Sequence, residues 1–493
     1  MASFVLYLSA TVLFAQSTVA FDCSKPPVYV DIHKRAVHGT DVFQYGSFIG
    51  VGSPAQNQSL WPSISQNHTS FAASDYCDSS NTTLKDCPIS TRGNFDRDLS
   101  QSFRENKDFK ALDKNRNETF DGIFGQDDIH LYTHYFETDG ASQTLVTNST
   151  IEVAQSGKIS PGIVGMGQAS TLLRDLADRG MIAGRTYSLY IGQGFPRAGG
   201  AVNGSNTFGG YDAGRFKGPV HKYPMKISNV NAMSVRVKDI VITDSKSPNS
   251  NVSLFDAQKF NMKSRPENFE AELTTDQYPL SLPYQITQNF MSHFGAEVQE
   301  DKDDPWQDQS LKLKNPFNGT LSIVLDDDFV ITLPPEVLMN ASNITPIQKR
   351  DENDTRPFYL SSAFLGQVYL MADYDSYTFF LAQAVQKNNA VMPTTFCPKA
   401  VPEAYEGPKQ SAWVQQGLIG AVIGGILGGM GIAICGYCLF LGLKRRRAEK
   451  KLEKEMAALE KGKSAKFVQM EVDDSPEFDP PPKTATPFFW KKR

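Results

Sequence analysis

Short alternating or β-branched runs, separated by Gly, Pro, Asn and Asp, dominate the chain between Phe21 and about Pro408. Such runs are typical of β-strands bounded by turns. Apolar residues recur at helical spacing only in a few places, such as Ser170–Arg179 and Ile286–Gly295, and both of these segments end near glycine. The pattern predicts a mostly β domain, with strands at Val28–Ile32, Ser47–Val51, Thr186–Ile191, Val235–Thr243, Leu321–Leu333 and Gly366–Leu381.

Two longer apolar segments flank that region. Met1–Ala20 is short and ends in small residues, which is typical of a signal peptide; an N-terminal anchor is the alternative. Gly417–Leu443 has no charged residue and is followed at once by the basic cluster Lys444–Arg447. It is long enough to cross a bilayer, and the basic cluster places the following residues in the cytoplasm. A buried core helix fits that length and those flanking charges poorly.

These segments predict how the chain is divided. We expect a signal peptide at 1–20, an ectodomain at 21–408, a juxtamembrane stalk at 409–416, a transmembrane helix at 417–443 and a cytoplasmic tail at 444–493. The tail begins with Ala448–Lys461, whose Lys, Glu, Ala and Leu predict a solvated helix. Asp473–Pro482 is acidic and rich in proline, so we expect the tail to be largely disordered.

Charge and cysteine usage fit a secreted or surface domain. The whole chain carries a net charge of −5, and the basic tail leaves the part before Lys444 more negative still, which excludes a nucleic-acid surface. Cys77 and Cys87 are spaced to close a short disulfide loop in an oxidising compartment, and Cys23 and Cys397 are the remaining candidates for a pair. The sequence therefore predicts a protein of the secretory pathway, at the plasma membrane, with an extracellular ectodomain.

Glycosylation sequons support this placement, because all of them precede the apolar span. The predicted glycosylation sites are Asn57, Asn67, Asn81, Asn117, Asn148, Asn203, Asn251, Asn318, Asn340, Asn343 and Asn353.

We expect no metal and no cofactor.

Several motifs occur in the order found in one family. They are YGSFIGVGSPAQ at 45–56, GIFGQD at 122–127, PGIVGMG at 161–167, FGGYD at 208–212 and FLGQVY at 364–369. Between residues 43 and 384 the chain resembles the pepsin-like aspartic peptidases. The resemblance implies a bilobed β-barrel fold, with an N-terminal lobe at about 41–210 and a C-terminal lobe at about 211–400.

The chemistry of that family needs two carboxylates, one from each lobe, that share a proton and activate a water. Each comes from an Asp-Thr/Ser-Gly turn. Counting from Gly52, the first such turn falls on Ser63-Ile64-Ser65. Leu282-Pro283 resembles the end of the family's second active-site loop, and counting back from Pro283, the second turn falls on Thr274-Thr275-Asp276. Hydroxyl residues cannot share that proton, so we expect the catalytic pair to be lost at Ser63 and Thr274.

Other residues near these turns are candidates for a role in the cleft. Ser65, Thr275 and Asp276 belong to the two turns, and Asn115 falls at the position of the family's flap tyrosine. Asp75 and Asp276 are the acids that could substitute for the lost pair. Asp276 takes the place of the turn's glycine, so its side chain is expected to point away from the water site. His68 is expected to be exposed on a loop beside Asn67.

Three functions remain open. The first is a membrane glycoprotein whose ectodomain no longer catalyses and instead binds a peptide or cell-surface ligand or acts as a scaffold. The alternative is an active aspartic-type endopeptidase that uses displaced carboxylates to process secreted or surface proteins. The third is a structural glycoprotein whose cleft is empty. Gly420, Gly424 and Gly428 also form a small-residue repeat in the span, which favours a homodimer or simply gives a flexible span.

Overall fold

A computed structural model describes residues 21–38, 41–84, 86–112, 120–133, 142–193, 202–227, 231–246, 251–299, 309–340, 342–386, 391–407 and 418–462. The predicted signal peptide and stalk lie outside these residues. The chain forms two compact units, Met1–Tyr405 and Glu406–Arg493.

The first unit is built mainly from strands, as the sequence predicts. Its N-terminal half contains β1 (Val28–Ala36), β2 (Phe43–Val51), β3 (Gln56–Ser63), β4 (Ser70–Ala73), β5 (Asn94–Phe95), β6 (Arg104–Glu105), β7 (Phe120–Thr133), β8 (Ser142–Gly157), β9 (Ile163–Gly165), β10 (Thr186–Tyr190) and β11 (Gly204–Phe208). Its C-terminal half contains β12 (Gly210–Asp212), β13 (Phe216–Pro224), β14 (Ser234–Asp244), β15 (Asn251–Ser253), β16 (Phe269–Leu273), β17 (Glu297–Val298), β18 (Ser310–Lys312), β19 (Gly319–Leu325), β20 (Val330–Leu333), β21 (Ile344–Gln348), β22 (Phe358–Leu360), β23 (Val368–Asp373), β24 (Thr378–Ala384) and β25 (Pro393–Thr395).

The helices of this unit are short and few among the described residues. They are α1 (Cys87–Ser90), α2 (Thr171–Asp178), α3 (Tyr284–Phe294), α4 (Pro335–Leu338) and α5 (Ser362–Leu365). Both helices that the sequence predicts are confirmed. At the start of α2 the Ser170 side chain accepts a hydrogen bond from Leu173 N, and α3 ends at Gly295 in a left-handed conformation with φ of 58°.

One large sheet joins the two halves of the chain. Part of it runs in the order β13-β24-β23-β10-β11-β1, so three strands of the C-terminal half are followed by three of the N-terminal half. The pair that crosses between the halves is β10 with β23, in antiparallel register from Thr186–Asp373 to Leu189–Leu370. Both sides of this pair are buried apolar strands, so the two lobes share a continuous core.

Each lobe repeats the same local arrangement of strands. In the N-terminal lobe β3 pairs antiparallel with β2 and parallel with β9. In the C-terminal lobe β16 pairs antiparallel with β14 and parallel with β22. Both β3 and β16 are therefore central strands, and the residues that follow them emerge at equivalent places in the two lobes.

Two predicted strands are each a hairpin in the structure. Leu321–Leu333 divides into β19 and β20 around a turn in which Asp328 has φ of 64°. Gly366–Leu381 divides into β23 and β24 around a turn in which Tyr377 has φ of 53°. Apolar alternation continues on both sides of these turns, which explains why the pattern alone predicted one run in each case.

Both cysteine pairs are disulfides. Cys77 is bonded to Cys87, and Cys23 is bonded to Cys397, which is 374 residues further along the chain. The second bond connects the segment before β1 with the segment after β25.

The second unit contains α6 (Leu418–Gly462). Among the described residues it is the one helix long and apolar enough to cross a membrane. The helix continues past the predicted span end at Leu443, because the following Lys, Arg, Glu, Ala and Leu residues favour a helix. The remainder of the predicted tail, from residue 463, lies outside the described residues.

Candidate functional site

The residues that follow β3 form the first half of the site, turn 1 (Ser63-Ile64-Ser65). Ser63 is fully buried, and its hydroxyl accepts a hydrogen bond from Gln66 N at 3.2 Å. The Ser63 and Ser65 hydroxyls lie 3.3 Å apart. Ile64 points into the core and is 1% exposed. Turn 1 thus places two hydroxyls beside each other and anchors itself through an apolar side chain.

The residues that follow β16 form the second half, turn 2 (Thr274-Thr275-Asp276). Thr274 N donates to Leu360 O at 3.1 Å, which continues the parallel pairing with β22. Asp276 N donates to the Thr274 hydroxyl at 3.1 Å and closes the turn. Thr274 and Thr275 are buried, whereas Asp276 is exposed to the cleft.

The two turns meet at the lobe junction. Ile64 N donates to the Thr275 hydroxyl oxygen at 3.2 Å, and Trp61 Nε1 donates to the Thr275 carbonyl at 2.7 Å. Ser362, at the start of α5, donates to the same carbonyl at 3.0 Å. Thr275 therefore holds the junction together through both its hydroxyl and its backbone.

Asp276 reaches across the junction to turn 1. The Ser65 hydroxyl donates to Asp276 Oδ2, and the Ser63 hydroxyl also hydrogen-bonds this carboxyl. The sequence predicts that this side chain points away from the water site, whereas in the structure its carboxyl is directed across the junction toward Ser63 and Ser65. A serine at the third position of turn 1 offers a donor that a glycine would lack, and the carboxyl of Asp276 turns toward it.

Two effects of its surroundings shift the pKa of this carboxyl in opposite directions. Desolvation by the walls of the junction is the larger effect and raises the pKa of Asp276, while the hydrogen bonds from Ser63 and Ser65 oppose that rise. The side chain faces a cavity open to water, although protein atoms surround it on other sides. Water in the cavity therefore reduces the size of the pKa shift.

A cavity of about 690 Å³ opens beside the two turns. Its walls include Tyr45, Trp61, Ile159, Ile163 and Ile191, together with several glutamines. Among the described residues that line it, Asp276 is the one acid and Arg92 is the one base. The cavity is thus largely apolar, with a few polar groups and two opposite charges.

A family comparison agrees with this architecture. A model of the eukaryotic aspartyl proteases matches residues 44–384. The chain belongs to this family. No curated protein matches the chain. The match confirms the resemblance drawn from the motifs and the predicted bilobed, mostly β fold.

Family motifs surround the site of this aspartyl protease domain. PGIVGMG at 161–167 includes β9, which pairs with β3 from Trp61–Ile163 to Ser63–Gly165. FLGQVY at 364–369 spans the end of α5 and the start of β23, and its Gln367 lines the cavity and accepts a hydrogen bond from Gln386 at 2.6 Å. The motifs therefore build the floor of the cleft.

Not all of the residues predicted from sequence come together in the aspartyl protease cleft. Ser65, Thr275 and Asp276 lie at the junction, and Thr275 and Asp276 also line the cavity. Asn115 lies outside the described residues. Asp75 is exposed next to a short 3-10 helix and does not line the cavity.

The expectation that His68 is exposed is wrong. His68 is 2% exposed, and its Nε2 accepts a hydrogen bond from Leu112 N at 2.9 Å. Its ring packs against Phe109 and Phe124, with ring centres 5.5 and 4.8 Å away. These aromatic residues lie far along the chain, so the local sequence gave no sign of the burial.

Sequence reasoning missed Trp61 and Arg92. Trp61 lies two residues before turn 1, and its position in the strand does indicate a side chain near the site. Arg92 follows α1 in a loop, and no spacing or motif connects it with the cleft.

The predicted glycosylation asparagines differ in exposure. Asn81, Asn148, Asn203, Asn251, Asn318 and Asn353 are exposed, whereas Asn57, Asn67, Asn340 and Asn343 are half-buried. Asn117 lies outside the described residues.

Proposed function

We propose that the chain is a single-pass membrane glycoprotein whose aspartyl protease domain has lost peptide-bond hydrolysis and binds extended peptide segments in its cleft, at the cell surface. The observation that carries the proposal is the makeup of the lobe junction. One carboxyl, that of Asp276, lies there among the hydroxyls of Ser63 and Ser65.

Hydrolysis by this family needs two carboxyls that share a proton, one to activate water and one to polarise the peptide carbonyl. Ser63 ends β3 and Thr274 follows β16, the two equivalent strands, so these residues occupy matching places in the lobes. A serine or threonine hydroxyl does not ionise near neutral pH and cannot take the part of a carboxylate. Among the described residues the junction therefore supplies one carboxyl, which supports the loss of hydrolysis.

Peptide binding is supported by the cavity. Its volume of about 690 Å³ lies within the range of ligand pockets, roughly 300–1,000 Å³. Apolar and aromatic walls with a few polar groups are the usual makeup of such pockets. An extended peptide presents backbone donors and acceptors as well as alternate side chains, which suits a cleft between two β lobes.

Placement at a membrane surface is supported by three observations. Helix α6 is a candidate membrane span, the domain carries two disulfides, and several sequon asparagines are exposed. Disulfides form and persist in the secretory pathway and outside the cell.

A second function, hydrolysis by a displaced carboxyl, is favoured by the position of Asp276. Its carboxyl lies at the junction, and burial raises its pKa, as is common for carboxyls that act as general acids or bases in active sites. In that mechanism one carboxyl and two serine hydroxyls would have to activate the water and polarise the peptide carbonyl.

The experiment uses the full chain purified in detergent. A diverse library of short peptides is incubated with it from acidic to neutral pH, and the products are analysed by mass spectrometry, while binding of the same library is measured by affinity selection. We expect peptide binding without cleavage.

The Asp276→Asn variant separates the two functions. Cleavage that a statine-type transition-state analogue inhibits, and that Asp276→Asn abolishes, would replace our proposal with the displaced-carboxyl peptidase. Absence of both cleavage and peptide binding would contradict both functions and leave a structural role.

A further inference from the structure

Arg92 is a cation in the wall of the cavity. It lies in the loop between α1 and β5, is half-buried, and has φ of 64°. Its backbone carbonyl accepts a hydrogen bond from Ser59 N at 3.0 Å, which fixes the loop against β3. The loop that carries Arg92 is thus held by β3, the strand that leads directly into turn 1.

Among the described residues the guanidinium has one hydrogen-bond acceptor. Arg92 Nη1 donates to Tyr45 O at 2.6 Å, and the guanidinium carbon lies 5.1 Å from the centre of the Trp61 ring. A guanidinium carries five N–H donors, so most of them are left for another partner. Among the described residues, no carboxylate forms an ion pair with Arg92.

Burial lowers the pKa of Arg92 to about 10, so the side chain stays protonated at neutral pH. Among the described contacts, no hydrogen bond or ion pair joins Arg92 to Asp276. The two charges therefore do not neutralise each other, although both line the same cavity. A charge that is partly removed from water is normally paired, and because none of the described carboxylates pairs with Arg92, a ligand in the cavity can supply the partner.

The neighbouring backbone is shaped around this side chain. A Cβ atom at Gly162 would lie 2.6 Å from Arg92 Cβ and 2.6 Å from Thr91 O, so a larger residue there would displace the arginine loop. Gly162 O in turn accepts a hydrogen bond from Trp61 N at 2.9 Å. Glycine at this position lets Arg92 lie between β3 and the 159–163 segment with its guanidinium toward the cavity.

We propose that the cavity is specific for peptides that carry an acidic side chain, and that Arg92 binds its carboxylate. This inference rests on the proposed peptide-binding function. A guanidinium forms two parallel hydrogen bonds with a carboxylate, and such bonds are strongest where water is excluded, as beside Trp61 and the isoleucines of the wall. An uncharged or basic side chain at that place would leave the guanidinium desolvated and unpaired.

The test compares pools of short peptides that are identical except for one position, which is Glu, Gln or Lys. Each pool is titrated against the full chain in detergent, with fluorescence anisotropy as the readout. We expect the wild type to bind the best Glu pool at least about tenfold more tightly than its Gln counterpart, which corresponds to about 1.4 kcal/mol.

Variants at Arg92 assign that preference to one side chain. Arg92→Gln should bind the Glu and Gln pools equally, and Arg92→Glu should come to prefer the Lys pool. Arg92→Lys should keep a weaker preference for Glu, because an ammonium group lacks the paired donors of a guanidinium. Arg97→Gln, at an arginine of the same lobe that does not line the cavity, should behave as the wild type.

The outcomes separate this inference from the proposed function. Equal binding of the Glu and Gln pools by the wild type, or a Glu preference that survives in Arg92→Gln, would overturn the role of Arg92 and leave peptide binding intact. Absence of binding by every pool would overturn both. A gain of Lys preference in Arg92→Glu requires a folded cavity, so it supports the inference even if Arg92→Gln is unstable.

Discussion

Turn 1 and turn 2 occupy equivalent places in the two lobes but contribute different groups to the junction. The N-terminal lobe supplies donors: Ile64 N, Trp61 Nε1 and the Ser65 hydroxyl. The C-terminal lobe supplies acceptors: the hydroxyl oxygen and carbonyl of Thr275 and the carboxyl of Asp276. In all three hydrogen bonds the N-terminal lobe therefore donates and the C-terminal lobe accepts.

This difference indicates what the junction now does. Two carboxyls that share one proton must be chemically alike, because the proton has to be held by either of them. Here one side donates and the other accepts, so the contacts connect the lobes and do not share a proton. Under the proposed function, the two turns serve as a directional contact between the lobes.

The largest expected effect comes from making the two turns alike. The combined variant Ser63→Asp, Ser65→Gly, Thr274→Asp, Asp276→Gly places one carboxyl at each equivalent position, with glycine behind it. We expect it to gain peptide cleavage at acidic pH, measured with the peptide library and mass spectrometry.

The matched control for this gain is Ser65→Gly with Asp276→Gly, which has the same glycines and neither new carboxyl. It should not cleave. A combined variant that folds and binds a statine-type analogue without cleaving would show that the backbone of the junction has also changed.

Removing the apolar anchor of turn 1 is expected to have the next largest effect. Ile64 is 1% exposed, and Ile64→Ala should lower the free energy of unfolding by about 2–5 kcal/mol through the cavity it leaves. Denaturant unfolding of the full chain in detergent measures this. Ser65→Ala, at the half-buried neighbour, serves as control, and an equal loss in both variants would contradict a packing role for Ile64.

Thr275→Val tests the acceptor in turn 2. It removes the oxygen that accepts from Ile64 N and leaves a buried N–H without a partner, so we expect a loss of about 1–3 kcal/mol in the free energy of unfolding. Thr275→Ser retains the acceptor and should lose less. A Thr275→Val variant as stable as the wild type would contradict this role of the hydroxyl.

The smallest effect is the dependence of stability on pH through Asp276. Burial raises the pKa of this carboxyl in the folded protein above its ordinary value of 3.8. Between the two pKa values the folded state binds more protons than the unfolded state, so this contribution to stability is present below 3.8 and is lost as pH rises through the folded pKa.

Asp276→Asn cannot titrate and removes that loss. The Tm of the wild type should therefore fall relative to that of Asp276→Asn as pH is raised from below 3.8 toward neutral. Thermal unfolding of both proteins over this pH range measures the difference, in which the other titrating groups cancel. A constant difference in Tm would mean that water in the cavity removes the pKa shift.

Local patterns predicted the elements and some of the site. Thr186–Ile191 and Ser170–Arg179 were predictable because alternation and helical spacing are set by neighbouring residues. The family turns placed Ser63 and Thr274 at matching strand ends. The direction of the Asp276 side chain was not predictable, because it depends on Ser65, which is 211 residues away. The burial of His68 and the place of Arg92 also depend on contacts with residues more than 40 positions away in the chain.

The bond between Cys23 and Cys397 closes nearly the whole domain into a covalent ring. A protease that cuts the chain once between these cysteines does not divide it, because both pieces stay joined through sulfur. Release of the domain from α6 by a single cut therefore requires cleavage after Cys397, in the stretch that leads to the helix at Leu418. Shedding and internal nicking would thus be distinguishable on a gel run with and without a reducing agent.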